Sequence, residues 1–271
     1  MLLKFCYSSL GLKAKLQNMK LAIILQRLFQ SLPNNVMSRT SASRKNCPVC
    51  DSKQSSLILL APLDQPLARY GILDSKNEAV NAPRHKLEIR KCQKCRTIYN
   101  AMFDISAIAY NSGAVMESTI FSKGIKDHNC KMALKLHEKL ALECKQVVEI
   151  GCGEGFFLSL FNNSQTIGFE PSNEYCNSAY TVDKFLNQYY DPREVYDFIS
   201  PSLIILRQVL EHLESPRLFL DSFRNLLTKS KHKGSLYIEV PNSVPSLSSL
   251  RCEDFYYDHH VFYTISTLSR L

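Results

Sequence analysis

The chain has 271 residues, 45% of them apolar, and a formal net charge of +8. That length holds one full α/β domain and a smaller module. The longest apolar stretch near the N-terminus, Leu21–Leu25, is far short of the roughly 18 residues of a membrane-spanning helix, and no small-residue cleavage site of a secretory signal follows it. The positive charge is confined to one end. Residues 1–46 hold 8 of the 33 basic residues and none of the 25 acidic ones, so the rest of the chain carries 25 of each. A neutral body argues against a catalytic domain that grips a nucleic-acid backbone.

Residues 1–46 read as a basic extension and linker. Leu12, Leu16, Met19, Ile23 and Leu28 fall near helical spacing, with Lys and Arg between them. A basic amphipathic helix of this kind can lie on a membrane surface or a partner. The same acid-free, Ser- and Arg-bearing composition suits a transit peptide, or an upstream extension before a start at Met19 or Met37.

Ten cysteines in a chain without a signal peptide point to a reduced, cytoplasmic protein. Four of them stand as two CxxC pairs, "CPVC" (Cys47, Cys50) and "CQKC" (Cys92, Cys95). Each CxxC knuckle presents two thiolates on one tight turn, and two knuckles supply the four ligands of a closed, structural zinc site. Neither pair opens a helix after a strand, which disfavours a redox role. The gap between the pairs must hold a small sheet of its own, and "LEIRKCQKC" reads as an alternating strand entering the second pair. A zinc-binding module over 47–100 is therefore expected, then a helical bridge over 101–145 with a helix in "DHNCKMALKLHEKLALEC".

From Gln146 the pattern becomes strand, glycine turn, helix, strand, and repeats. Strands are predicted at Gln146–Ile150, Gln165–Phe169, Leu203–Leu206 and Ser235–Val240, with a helix over Ser215–Lys229. Strands alternating with helices imply an α/β, Rossmann-like core with a parallel sheet, over residues 146–271. In "VVEIGCGEG", Glu149 sits near a strand end and Gly151, Gly153 and Gly155 fill the turn that starts a helix. The next strand ends in "GFEPS", placing Glu170 about 20 residues on, where a carboxylate can hold the hydroxyls of an adenosine ribose. NAD and S-adenosylmethionine both fit that much. The spacing G-C-G-E-G is not G-x-G-x-x-G, and an acidic residue before the turn suits a cationic amino-acid moiety better than a pyrophosphate.

At this point the sequence resembles class I S-adenosylmethionine-dependent methyltransferases. With the cysteine quartet in front, it looks like the zinc-containing C-methyltransferases of nucleotide-sugar biosynthesis. "CPVC", "CQKC", "VVEIGCGEG", "GFEPS", "RQVLEHLESP", "YIEVPN" and "DFYYDHHVFYT" follow the family order, and Tyr110–Ser122 resembles the segment that lies over the cofactor. The resemblance implies that Glu149, Gly151, Cys152, Gly153, Gly155, Glu170 and Pro171 bind the cofactor, with Arg207 and Gln208 facing cofactor or substrate. It implies His259, Tyr256, Asp258 and His212 around the sugar, with Tyr257 a second choice for the tyrosine. Asp258 departs from the family's usual Glu. The chemistry suits these types: carbon methylation needs a base near neutral pKa beside a ketone, and an OH or second His for the enolate oxygen. The family's further C-terminal domain does not follow Leu271, so the core is expected to be truncated or completed by a second chain. The expected partner is a small molecule, a nucleotide sugar. Two rival readings stay open: an RNA methyltransferase with a zinc ribbon, and a non-catalytic remnant that binds cofactor and zinc.

Overall fold

A computed structural model of the chain describes residues 2–3, 46–53, 56–66, 75–108, 122–141, 145–172, 179–191, 199–229, 234–249, 251 and 254–271. The amphipathic stretch at 12–28 and most of the Tyr110–Ser122 segment lie outside them. Among the described residues no helix is long and apolar enough to cross a membrane.

The core is a parallel sheet. Its strands are β5 (Gln146–Ile150), β6 (Gln165–Phe169), β7 (Lys184–Leu186), β8 (Leu203–Arg207) and β9 (Ser235–Glu239), in the order β9-β8-β5-β6-β7, with the two-residue β1 (Leu2–Leu3) parallel beside β9. The four strands expected from the sequence are present within a residue at each end. The chain moves outward from β5 through β6 to β7, then returns to the other side of β5 for β8 and β9. The order therefore reverses between β5 and β8, and ligands of open α/β sheets bind in the crevice beyond the strand ends at such a point.

Alternation along the strands sorts side chains onto two faces. Val148, Ile150, Ile204, Leu206 and Ile238 pack on one side against Phe219, Leu220, Phe223 and Leu227 of α4 (Pro216–Lys229), whose leading Pro suits a first helical position. Val147, Leu203, Ile205 and Tyr237 pack on the other side. There they meet Met132, Ala133 and Leu136 of α2 (Lys123–Leu140) and Phe157 and Leu158 of α3 (Phe156–Ser159). The same parity sends Glu149, Arg207 and Glu239 to the α2 side, where three charged side chains must be buried together.

The second sheet is antiparallel, in the order β10-β4-β3-β2: β2 (Ser56–Pro66), β3 (Arg84–Cys92), β4 (Ile98–Asn100) and β10 (Val261–Phe262). The gap between the CxxC pairs is thus filled by strands β2 and β3, with the short helix α1 (Lys76–Val80) between them. β10 comes from the far end of the chain and pairs with β4, Val261 opposite Tyr99 and Phe262 opposite Ile98. The expected division between residues 47–100 and 146–271 is crossed by this pairing. Burial crosses it too: Cys47, Val49, Cys92, Cys95 and Tyr99 share one apolar cluster with Ile204, Leu210 and Phe223.

Candidate active site

The turn after β5 is built from glycines for a steric reason. Gly151, Gly153 and Gly155 have φ of 70°, 52° and 81°, the left-handed region that favours Gly. At Gly151 space adds to conformation, since a Cβ there would lie 2.5 Å from Val209 Cγ2. The Gly151 and Cys152 N–H groups both donate to the Phe169 carbonyl, at 2.8 and 3.1 Å, binding the turn to the end of β6. Cys152 is buried beside Gly168, where a Cβ would come within 2.7 Å of its Sγ. Burial drives its thiol well above the usual value.

Glu170 follows β6 with its carboxylate buried against this turn. It accepts from Gly153 N–H at 3.0 Å and from Ser172 N–H at 2.9 Å, with the half-buried Pro171 between. Asn187 donates to the carbonyls of Glu170 and Ser172 at 3.1 and 2.6 Å and fixes the loop from the β7 side. These residues fit the adenosine end of S-adenosylmethionine: the turn has no side chain in the way, and a fixed carboxylate stands at the second strand end.

Arg207, expected to face cofactor or substrate, lies on the α2 side of the sheet beside Glu149. It donates to Asn129 Oδ1 at 2.7 Å, lies 3.5 Å from Glu239 Oε1 and 4.0 Å from Glu149 Oε1, and rests over the Phe157 ring at 4.0 Å. Glu239 also accepts from the Tyr237 hydroxyl at 2.7 Å and has His128 at 3.6 Å. Burial works to raise Glu239, but Arg207, the Tyr237 hydroxyl and His128 outweigh it and hold its carboxyl below the usual value. Glu149 goes the other way. Burial, with the like charges of Glu239 and Glu170, pushes it up to about 8 despite Arg207. Glu239 is therefore the counter-charge of Arg207, and Glu149 keeps its proton at neutral pH. Among the described residues, the buried Glu149 Oε2 and Asn129 Nδ2 have no hydrogen-bond partner. Gln208 is exposed at the strand end with φ 54°.

The segment after β8 turns through Val209 into a 3-10 turn, Leu210–His212. It links the glycine turn, against which Val209 packs, to the second half of the site. There His212 and His259 meet edge to face with ring centres 4.8 Å apart, and Tyr256 stands 5.7 Å from His259. His212 Nδ1 lies 2.8 Å from the Asp258 carbonyl. A carbonyl only accepts, so Nδ1 carries a hydrogen. The Asp258 carboxylate stands 3.9 Å from the same nitrogen, so Asp258 orients His212. One ligand atom each from Glu211, His212 and His259 fall within 4.8 Å of one another.

Glu211, Tyr256 and His259 line a cleft of about 310 Å³, with Asn242, Arg251 and Asp254 on its other walls. The choice between neighbouring tyrosines follows from their hydroxyls. Tyr256 lines the cleft, whereas the Tyr257 hydroxyl donates to the Met102 carbonyl and accepts from Asp104 N–H, each at 3.0 Å.

The four cysteines converge. Their sulfurs lie within 4.8 Å of one another, with Cys47 and Cys95 at 3.5 Å and Cys50 and Cys92 at 3.8 Å. A tetrahedron with Zn–S bonds of about 2.3 Å has edges of about 3.8 Å, so the quartet fits such an ion. Burial raises the Cys95 thiol, but hydrogen bonds to Thr97, Cys50 and Cys47 outweigh it and bring it to about 7.

Asn129 and Glu239 were not singled out by sequence reasoning, which left Glu211 equally open to a structural and a functional role. Asn129 carried a signal, as a polar residue on the apolar stripe of α2 shared with Met132 and Leu136. Glu239 carried another, as the strand-end charge matching Glu149 and Arg207 in parity.

Fold and site together define a methyltransferase of the doubly wound α/β type. Residues 125–271, more than half the chain, match the family described as "Methyltransferase domain", and the chain belongs to that family. No curated protein matches it. Among solved structures it is similar to the plantazolicin methyltransferase in complex with a pentazolic desmethyl analogue and SAH, at 17% identity and TM-score 0.41 over 54% of this chain and 60% of that one. It is similar to magnesium protoporphyrin IX methyltransferase from Synechocystis PCC 6803 with bound SAH, at 14% identity and TM-score 0.39 over 54% and 69%. A SAM-dependent methyltransferase from Archaeoglobus fulgidus is 24% identical, with TM-score 0.35 over 52% and 65%. The chain spans 60% of the length of the first of these.

Proposed function

We propose that the chain transfers a methyl group from S-adenosylmethionine to a carbon beside the ketone of a sugar nucleotide, and that the cysteine quartet holds a structural zinc. The observation that carries the carbon-methylation reading is His259 and Tyr256 at the wall of the cleft, with His212 edge to face against His259 behind them. Bound at the glycine turn, the cofactor supplies an electrophilic methyl on a sulfonium. The chain's own residues must make the acceptor carbon nucleophilic. His259 takes the proton next to the ketone, and His212, oriented by the Asp258 carbonyl, supports it. The Tyr256 hydroxyl stabilises the enolate oxygen. A polar-walled cleft of about 310 Å³ is of the size that small-molecule sites take and suits a hydroxylated ring. Lying beyond the β8 end, it shares the Val209–His212 segment with the cofactor turn.

Proton removal is testable apart from methyl transfer. Nucleotide-linked 3-keto and 4-keto deoxysugars are incubated with the protein in deuterium oxide, without cofactor, and then with it. Deuterium entering next to the ketone, followed by a mass gain of one methyl with cofactor, is expected, and His259→Asn should abolish both. Cofactor binding without exchange or methylation on any keto sugar would overturn the substrate reading.

A further inference from the structure

The hydrogen bonds that hold the segment entering β10 converge on one residue outside the site. Asn100, the last residue of β4, is fully buried. Its N–H donates to the His260 carbonyl at 2.9 Å and its Nδ2 donates to the Tyr257 carbonyl at 3.2 Å. Its Oδ1 accepts from Met102 N–H at 3.0 Å. The two carbonyls it grips bracket Asp258 and His259, the residue that orients His212 and the proposed base. Tyr257 is anchored a second time through its hydroxyl to the backbone of Met102 and Asp104. His260 passes the hold onward: its N–H donates to the Glu211 carbonyl at 2.8 Å, its Nδ1 to the Leu213 carbonyl at 2.9 Å, and Phe103 stacks on its ring at 4.6 Å.

β4 is itself fixed by the cysteine turn. Cys92 closes the strand before it, and Cys92 N–H donates to the Thr97 carbonyl at 2.8 Å. Arginines tie the knuckles to the core. Arg270 donates to the Cys95 carbonyl at 3.1 Å, and Arg217 to the Val49 and Arg270 carbonyls at 2.8 and 2.9 Å.

We infer that the cysteine-bearing sheet is the brace of the catalytic segment 256–260, and that Asn100 is the positioning residue through which it sets the placement of His259 and, through Asp258, of His212. The inference rests on the proposed proton-removal chemistry for its consequence in turnover, though not for its geometric content. An amide is required at position 100 because one group must donate to a carbonyl while accepting from an N–H. Asp fills the same volume yet offers only acceptors, so Asn100→Asp turns the grip on the Tyr257 carbonyl into a repulsion.

The test compares Asn100→Asp with the full-length wild type. Metal content and S-adenosylmethionine affinity are measured first and should agree within twofold. Histidine side-chain NMR then follows the His212 and His259 rings through pH. Their surroundings are Glu211, Asp258, Tyr256 and His260, with Arg251 and Asp254 across the cleft. The midpoint of at least one ring should move by about half a unit or more. Keto-sugar deuterium exchange should fall at least tenfold, with KM changed by less than threefold. Tyr257→Phe, which removes the second anchor and keeps the ring, should act in the same direction and serves if Asn100→Asp folds poorly. Unmoved ring titrations in a folded variant that keeps its metal would overturn the inference. If the wild type exchanges no keto sugar, the substrate reading fails, and the ring titrations still decide the brace.

Discussion

The two sheets hold functional residues in opposite ways. The parallel sheet does it locally: a glycine turn follows β5, a carboxylate follows β6, and each is fixed by backbone hydrogen bonds to its immediate neighbours in the sheet. The antiparallel sheet does it at long range. Asn100 and Met102 grip residues more than 150 positions away, and the quartet joins thiols more than 40 positions apart. A cofactor cradle of the first kind is written in a dozen consecutive residues. A catalytic wall of the second kind exists only once both ends of the chain have met.

The largest effect should come from the long-range side. Cys92→Ser removes one of four converging thiols, and where a metal holds a small module its binding energy is folding energy, on the order of 10 kcal/mol in zinc-finger peptides. Metal content should drop below one per chain, and hydrogen exchange should rise sharply over residues 84–100. One metal per chain in this variant would break the quartet assignment.

Next comes pH. Glu149 holds its proton in the fold up to about 8, from an ordinary value of 4.5. Between those values the unfolded chain binds fewer protons than the folded one, so stability falls as pH rises through that window and levels off above it. At 1.36 kcal/mol per unit the penalty is on the order of 5 kcal/mol. Urea midpoints measured from pH 5 to pH 8 should decline in the wild type and decline far less in Glu149→Gln. Parallel curves would show that Glu149 ionises as readily in the fold as out of it.

On the local side, Gly151→Ala must place a methyl 2.5 Å from Val209 Cγ2 at φ 70°. A loss of about 2 kcal/mol in stability is expected, along with a more than tenfold loss of cofactor affinity by calorimetry. The smallest change should be Glu170→Ala. It weakens S-adenosylmethionine by at least tenfold, about 1.4 kcal/mol, while the melting temperature moves less than in Gly151→Ala.

Legibility in the sequence divides along the same line. β5, β6, β8 and β9 could be placed because apolar runs such as "LIIL" and "VVEI" belong to strands covered on both faces, and Gly151 and Glu170 because their signals sit beside those strands. The quartet was legible because CxxC is a local signature. β10 was not, since a two-residue strand has no period to read and its partner β4 lies some 160 residues earlier. The neighbours of Arg207 were not legible in the sequence. Strand parity places it with Glu149 and Glu239 beneath α2, and reading parity across three strands requires knowing that they are neighbours. The split between Tyr256 and Tyr257 also escaped the sequence, because only the Met102 and Asp104 backbone distinguishes their hydroxyls.

The most direct measurement is a calorimetric titration of S-adenosylmethionine into the purified full-length protein, run beside Glu170→Ala. Saturable binding at one site per chain, weakened at least tenfold in the variant, is the expected result. No binding by a folded, metal-loaded wild type, or equal affinity in the two proteins, would contradict the placement of the cofactor at the glycine turn.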